Sequence, residues 1–182
     1  MFRDKSLMPK EAIRLAALGL LGRGPTRYGD LANEVRHFTT RYWGPTLDVM
    51  ASSIELMRLE GLIDVADRGA TPGDAMLRLT QAGHDELRAL LGASVRVSSN
   101  DFNKLIIALK LKFLDALDPV ERAEQADALV EMREAELARL TDLRAAHDGD
   151  DGHFARWLDH DIVQIEADLA WFRQLREELR VD

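Results

Sequence analysis

The sequence predicts a mainly α protein in two parts: three short helices closed by a β-hairpin over residues 1–95, then long helices over residues 96–182. Three observations carry this. Glycine and proline punctuate the first part at short intervals (Gly22, Gly24-Pro25, Gly44-Pro45, Gly61, Gly69, Pro72-Gly73, Gly83), which keeps its elements short. Beyond about residue 100 the internal breaks are Asp118-Pro119 and the run HDGDDGH at 147–153, leaving three long segments of helical period. Charge divides the chain at nearly the same place: residues 1–92 hold 12 Lys+Arg and 12 Asp+Glu, net 0, whereas residues 93–182 hold 12 and 20, net −8.

The elements of the first part follow in order. Pro9 suits the first turn of a helix, where its missing N–H costs nothing, and Ile13, Ala17, Leu18 and Leu21 line one face until Gly22. After the turn GRGPT, Leu31, Val35 and Phe38 recur at helical spacing on a short second helix. Thr46 is suited to cap a third helix in which Leu47, Met50, Ala51, Ile54 and Met57 form the buried stripe. That helix runs through ELMRLE into Gly61, where a left-handed residue costs glycine little, and Leu62 is placed to fold back on Met57. Leu62–Val65 and Met76–Leu79 then read as two strands around DRGATPGD, whose Gly, Pro and Asp residues suit a hairpin loop.

Three short helices followed by a hairpin is the winged helix-turn-helix plan, in which the third helix enters the DNA major groove and the wing reaches the flanking backbone. The runs LGLLGRGPTRYGDLANEV at 18–35, YWGPTLDVMASSIELMRLEGLIDV at 42–65 and MLRLTQAGHDEL at 76–87 resemble the PadR family of bacterial transcriptional regulators. The LxLTxxGxxxL ending is represented by Leu77, Leu79, Thr80, Gly83 and Leu87. The resemblance extends into the C-terminal half: a helix, a turn at LDPVERAE, a long helix and a last helix carrying Trp171 near its end. It implies an N-terminal winged helix and a helical C-terminal extension. Two positions depart from the family pattern. Tyr28-Gly29 reverses the usual Gly-Tyr before helix two, and Ala51 stands where a tyrosine is usual on helix three, so family contacts at those positions do not transfer.

Candidate DNA-contacting residues follow from chemistry. Thr46, Ser52 and Ser53 are small hydroxyl residues that allow close approach to base edges, and Asp48 can accept a hydrogen bond from a cytosine amino group. Thr46 and Asp48 serve equally well as helix caps, and the serines as plain surface. Arg27, Arg36 and Arg41 cluster around helix two and the turn after it, where phosphate clamping is expected, with solvated surface charge as the alternative. Tyr28, if exposed, suits a phosphate hydrogen bond. Arg68 and Arg78 are the wing's cations, offset by Asp67 and Asp74. Tyr42-Trp43, in the turn before helix three, is better suited to core packing than to stacking on bases.

The C-terminal helices read as an association device. Phe102, Leu105, Ile106, Leu109, Phe113 and Leu117 make one apolar stripe; Phe154, Trp157, Leu158, Ile162, Ile165, Leu169, Phe172, Leu175 and Leu179 make another. So long a stripe needs a large partner surface, and a homodimer through these helices supplies it. Twofold symmetry then places two third helices about 34 Å apart, one turn of DNA, so the expected target is a palindromic operator in double-stranded DNA. The PadR resemblance implies that some members release DNA on binding aromatic acids or planar lipophilic compounds. Phe102, Ile106, Trp157 and Trp171 are the apolar groups suited to line an effector site, or simply to fill the core.

Other functions find little support in the residues. With no cysteine there is no disulfide, thiolate metal site or cysteine nucleophile. Of the five histidines, only His153 and His160 share a helical face, and HDGDDGH lacks the alternating acidic positions and the glutamate of a calcium loop. There is no phosphate-cradling glycine loop, no GxSxG and no dinucleotide fingerprint, so no enzyme and no cofactor are expected. MFRDKSLMPK lacks the apolar region of a signal peptide and no stretch suits a bilayer, so the expectation is a cytoplasmic protein without membrane contact. The sequence thus predicts a dimeric repressor. A winged-helix adaptor that binds protein instead of DNA is the alternative, favoured by a net-zero first half.

Overall fold

The computed structural model describes residues 7–43, 49–66, 75–95, 101–149 and 152–181, with the side chains of residues 41–43, 49–52, 101 and 181 left aside. The sequence expectations for Thr46, Leu47, Asp48, Arg68 and the hairpin loop lie outside these residues, as do those for the side chains of Arg41, Tyr42, Trp43, Met50, Ala51 and Ser52. The chain forms two compact units, Met1–Ser94 with Ser99–Leu117, and Val95–Ser98 with Asp118–Asp182.

The first unit is built around α1 (Pro9–Gly22), which packs against all its other helices. The run IRLAALGLL is apolar almost all round, and Ala12, Ile13, Leu15 through Gly19 and Leu21 are all buried, as a central helix requires. Pro9 occupies its first turn, and the Glu11 carboxylate accepts a hydrogen bond from the Met8 N–H at 2.6 Å. A two-residue strand β1 (Thr26–Arg27) leads into α2 (Tyr28–Trp43). Leu31 and Val35 on α2 are buried, as their spacing predicts. The helix runs through Tyr42-Trp43, for which the sequence predicts a turn.

Helix α3 (Val49–Leu59) buries Ile54 and Met57 and ends as its sequence requires. Gly61 has φ 75°, the Leu62 N–H bonds to the Met57 carbonyl at 2.9 Å, and the Gly61 N–H bonds to that of Arg58 at 3.0 Å. This pair of bonds closes the helix C-terminus and turns the chain into β2 (Ile63–Val65). Strand β3 (Met76–Leu79) pairs antiparallel with β2, Asp64 opposite Arg78, and with β1 on its other side. The three-stranded sheet therefore has the order β1-β3-β2. This is a winged helix-turn-helix whose wing is braced by a third strand too short to leave a periodic signal.

The LTxxG segment has a geometric reason. Thr80 caps α4 (Gln81–Gly92), its Oγ1 accepting from the Gly83 N–H at 3.1 Å and donating to the Gly61 carbonyl at 2.7 Å. The Thr80 N–H reaches the Leu62 carbonyl at 3.1 Å. A Cβ on Gly83 would strike that same carbonyl oxygen, so only glycine permits the approach. Arg14 on α1 adds ion pairs to Glu60, just beyond α3, and to Glu86 on α4.

Helix α5 (Asp101–Lys112), followed by a 3-10 turn (Leu114–Ala116), packs on α1 and α2 and belongs to the first unit. The sequence assigns it instead to the C-terminal half, because its apolar stripe gives no hint of which partner covers it. Leu105, Ile106, Leu109, Phe113 and Leu117 are buried there, and the Phe113 ring lies where a Cβ on Gly19 would be. Lys110 is also buried, its ammonium donating to the Leu91 carbonyl in the last turn of α4; burial lowers its pKa to about 8.

The second unit is an antiparallel helix pair, α6 (Pro119–Ala145) and α7 (His153–Val181). Asp118 and Glu121 form a reciprocal capping box ahead of α6, with bonds of 2.9 and 3.2 Å, and Pro119 opens the helix. Ala155, Leu158, Ile165, Leu169 and Phe172 of α7 are buried. Of the α7 stripe that argued for a second chain, Leu158, Ile165, Leu169 and Phe172 are thus covered within the chain, Ile162, Leu175 and Leu179 are half-buried, and Phe154 and Trp157 are exposed. Ion pairs latch the two helices: Arg144 to Asp159 at 2.7 Å, Arg133 to Asp168 at 2.9 Å, Glu134 to Arg173 at 2.7 Å and Asp127 to Arg180 at 3.2 Å. Arg133 is also paired with Glu136 at 2.6 Å, and both side chains are buried.

Candidate nucleic-acid interface

An exposed polar stripe runs along α2. Asn33, Arg36, His37 and Thr40 recur at i, i+3, i+4 and i+7, which puts them on one helical face, and they line a shallow concavity of about 670 Å³. The Arg36 guanidinium donates to the Asn33 side-chain oxygen at 3.4 Å. The opposite face supplies the core through Leu31 and Val35, while Thr39 satisfies its buried hydroxyl by donating to the Val35 carbonyl at 2.8 Å. Asp30 and Glu34 are exposed at the flank of the stripe, so the face is polar and mixed in charge. Of these residues the sequence expectation includes only Arg36. Asn33, His37 and Thr40 carry a legible signal, the four-residue polar period opposite the apolar one.

Arg27 is exposed at the end of β1, and the half-buried Tyr28 that follows donates its backbone N–H to the Ala75 carbonyl at 3.0 Å. That bond ties the start of α2 to the residue before β3, so the helix-turn-helix and the wing share a fixed origin. Among the described residues neither Arg27 nor Arg36 is ion-paired, which leaves both charges available. The wing and α3 differ. Arg78 on β3 is held by Asp64 on β2 at 3.0 Å, and Arg58 at the end of α3 by Glu55 at 2.9 Å. The wing's described cation is therefore offset by Asp64, a partner across the strand pair in addition to the Asp67 and Asp74 noted in the sequence.

On α3, Ser53 is half-buried, and the outward side carries Glu55, Leu56, Arg58 and Leu59. Leu56 is 50% and Leu59 85% exposed. A small concavity of about 210 Å³ beside them is lined by Glu55, Arg58, Leu59 and the β2 residues Ile63, Asp64 and Val65. The four residues offered for an effector site divide between the units. Phe102 is half-buried and Ile106 buried in the first; Trp157 and Trp171 are 59% and 51% exposed on α7 in the second. Among the described residues no group of three or more His, Asp or Glu side chains is placed to hold a metal, and no helix is long and apolar enough to cross a membrane.

No curated protein matches the sequence. Among solved structures, the chain is similar to PadR of Bacillus subtilis in complex with p-coumaric acid, at 18% identity over 97% of this chain and 100% of that one, with a TM-score of 0.40. The same protein in complex with operator DNA aligns at 18% identity over 91% and 98%, with a TM-score of 0.37. The PadR-like transcriptional regulator BC1756 of Bacillus cereus aligns at 21% identity over 91% and 94%, with a TM-score of 0.40. The match that spans the chain in sequence is to a family model described as "Putative AphA-like transcriptional regulator", over residues 2–176. With the winged helix-turn-helix of the first unit and all but the last turn of the helix pair of the second inside that match, the chain belongs to the AphA-like family of transcriptional regulators.

Proposed function

We propose that this regulator binds double-stranded DNA sequence-specifically as a homodimer and represses transcription by occupying a palindromic operator. In this reading α3 enters the major groove, with Ser52 and Ser53 supplying base contacts from its first turns and Thr46 and Asp48 from the residues that precede it. Arg27, Tyr28, Arg36 and Arg41 hold phosphate from the start and body of α2, joined by Asn33, His37 and Thr40. Arg68 and Arg78 act from the wing, Arg78 only after separating from Asp64. The observation that carries the proposal is the exposed α2 stripe with Arg27 and Arg36 unpaired among the described residues, while the cations of α3 and β3 are neutralised by neighbours. The first unit with α5 is the DNA-binding part. Dimerisation is assigned to α7 through its exposed tryptophans. A small aromatic molecule at Phe102, Ile106, Trp157 or Trp171 is the proposed release signal.

Selection of bound duplexes from a random pool, followed by anisotropy across a salt series, tests the reading. The expected result is enrichment of one palindromic sequence, with affinity falling as salt rises. Arg27→Ala and Arg36→Ala should each weaken all sequences alike and lower the salt slope by about one. No enrichment, with feeble and equal binding to every duplex, would overturn it.

A second reading, the protein-binding adaptor, is favoured by one observation. Leu56 and Leu59 are exposed beside Glu55 on the helix that should face phosphate. Failure to enrich any duplex would leave this patch as the functional surface.

A further inference from the structure

Residues 118–182 carry 8 Arg, no Lys and 18 Asp+Glu, a net charge of −10, against +2 for residues 1–117. The arginines are unevenly used. Arg133, Arg144, Arg173, Arg176 and Arg180 all form ion pairs within the helix pair. On α7, Trp157, Gln164 and Trp171 stand seven residues apart and therefore share one flank, and none of the three is buried. One edge of that flank carries Asp161 and Asp168; the other carries His160 and Ala167, with Arg156 a further step round the helix on that same far side. Among the described residues Asp161 has no ion-pair partner. Asp168 is held by Arg133, but Arg133 is shared with Glu136, so that trio still carries one net negative charge.

This flank is self-complementary. Two antiparallel copies of α7 related by a twofold axis at Gln164 bring Trp157 against the partner's Trp171 at both ends of a seam about 21 Å long. The same operation sets Asp161 beside the partner's Asp168, twice, along one edge. On the other edge it sets His160 beside the partner's Ala167, with no charge to oppose. An indole seam therefore draws the copies together, while carboxylates along one edge push them apart.

Resting on the dimer reading above, we infer that the α7 face pairs with a second copy of itself and that this pairing tightens as ionic strength rises, opposite to DNA binding. Exposed like charges within a Debye length repel, and that length falls from about 10 Å at 0.1 M salt to 3 Å at 1 M, whereas burial of indole is little affected. The net −10 of each helix pair acts in the same direction at longer range. Operator occupancy then passes through a maximum in salt: below it dimers are scarce, above it phosphate contacts are screened.

Sedimentation of the full chain over a concentration series at 50, 150 and 500 mM NaCl tests this. The expected result is a dimer whose dissociation constant falls about three- to tenfold from the lowest to the highest salt. Asp161→Asn should tighten the dimer at 50 mM and reduce the salt dependence, and Trp157→Ala should weaken the dimer at every salt. A dimer that is indifferent to salt, loosens with it, or responds equally in the Asp161→Asn variant would overturn the inference and leave the dimer reading standing. A monomer at tens of micromolar in all three salts would overturn both.

Discussion

The two units solve the problem of stability in opposite ways. The first wraps short elements around one largely apolar helix, α1, and fixes them with backbone-level devices: the Gly61 turn, the Thr80 cap and the carbonyl of Leu62 pressed against Gly83. The second has a narrower apolar seam between α6 and α7 and closes its margins with arginine–carboxylate pairs. A small domain that presents a shaped surface needs close backbone fits. A long helix pair needs register, and charges at fixed positions along two antiparallel helices supply it, since sliding by one turn would separate every pair.

Substitutions test this contrast, and the largest effect is expected at the buried Arg133–Glu136 pair of the second unit. Arg133→Met should destabilise the helix pair by about 3 kcal/mol, because Glu136 would be left buried and unpaired, while Arg133→Met with Glu136→Leu should recover most of the loss. Chemical denaturation followed by circular dichroism measures both. If the double variant is as unstable as the single, the cost lies in packing and not in the stranded charge.

Next in size is the buried lysine of the first unit. The folded chain gives up the Lys110 proton at about 8, against 10.5 for the free side chain, so between these values the unfolded state binds more protons. Stability should therefore rise with pH across that interval and carry no such slope below it, by at most about 3 kcal/mol in total. Lys110→Met should flatten this rise, as seen by denaturant midpoints at pH 7, 8.5 and 10. Gly83→Ala follows, at about 2 kcal/mol, because its Cβ meets a backbone carbonyl that cannot move aside. Gly61→Ala, with open space around it, should cost only the left-handed backbone, about 1 kcal/mol in thermal unfolding. The smallest effect belongs to the exposed latch of the second unit: Arg173→Ala should cost about 0.5 kcal/mol or less, since both partners are half in water.

The contrast extends to charge on the proposed DNA-facing side. Asp64→Asn frees Arg78 on the wing, and under the DNA-binding proposal it should strengthen duplex binding a few-fold at low salt and steepen the salt slope. Unchanged binding would place the described part of the wing away from DNA.

How much of this is legible in the residues depends on range. The α1 stripe, the Gly61 turn with its Leu62 fold-back, the two longer strands of the wing and the helical C-terminal half all rest on neighbours within a few positions, and each is where the spacing puts it. The candidate site is legible only in outline. Arg27 and Arg36 are exposed as expected, but the stripe joining Arg36 to Asn33, His37 and Thr40 emerges only once the exposed face of α2 is defined, and the pairing of Arg78 with Asp64 needs the strand register.

The Gly61 turn and the helical periods were settled by the order of residues alone, because backbone dihedrals and side chains one turn apart set them. Which surface covers each apolar stripe was settled by the folded arrangement. It joined the two residues of β1 to the wing, gave α5 to the first unit, laid α6 over the stripe of α7, and left Trp157 and Trp171 outside. An apolar face specifies that something must cover it, and hydrophobic burial, being non-directional, does not specify what.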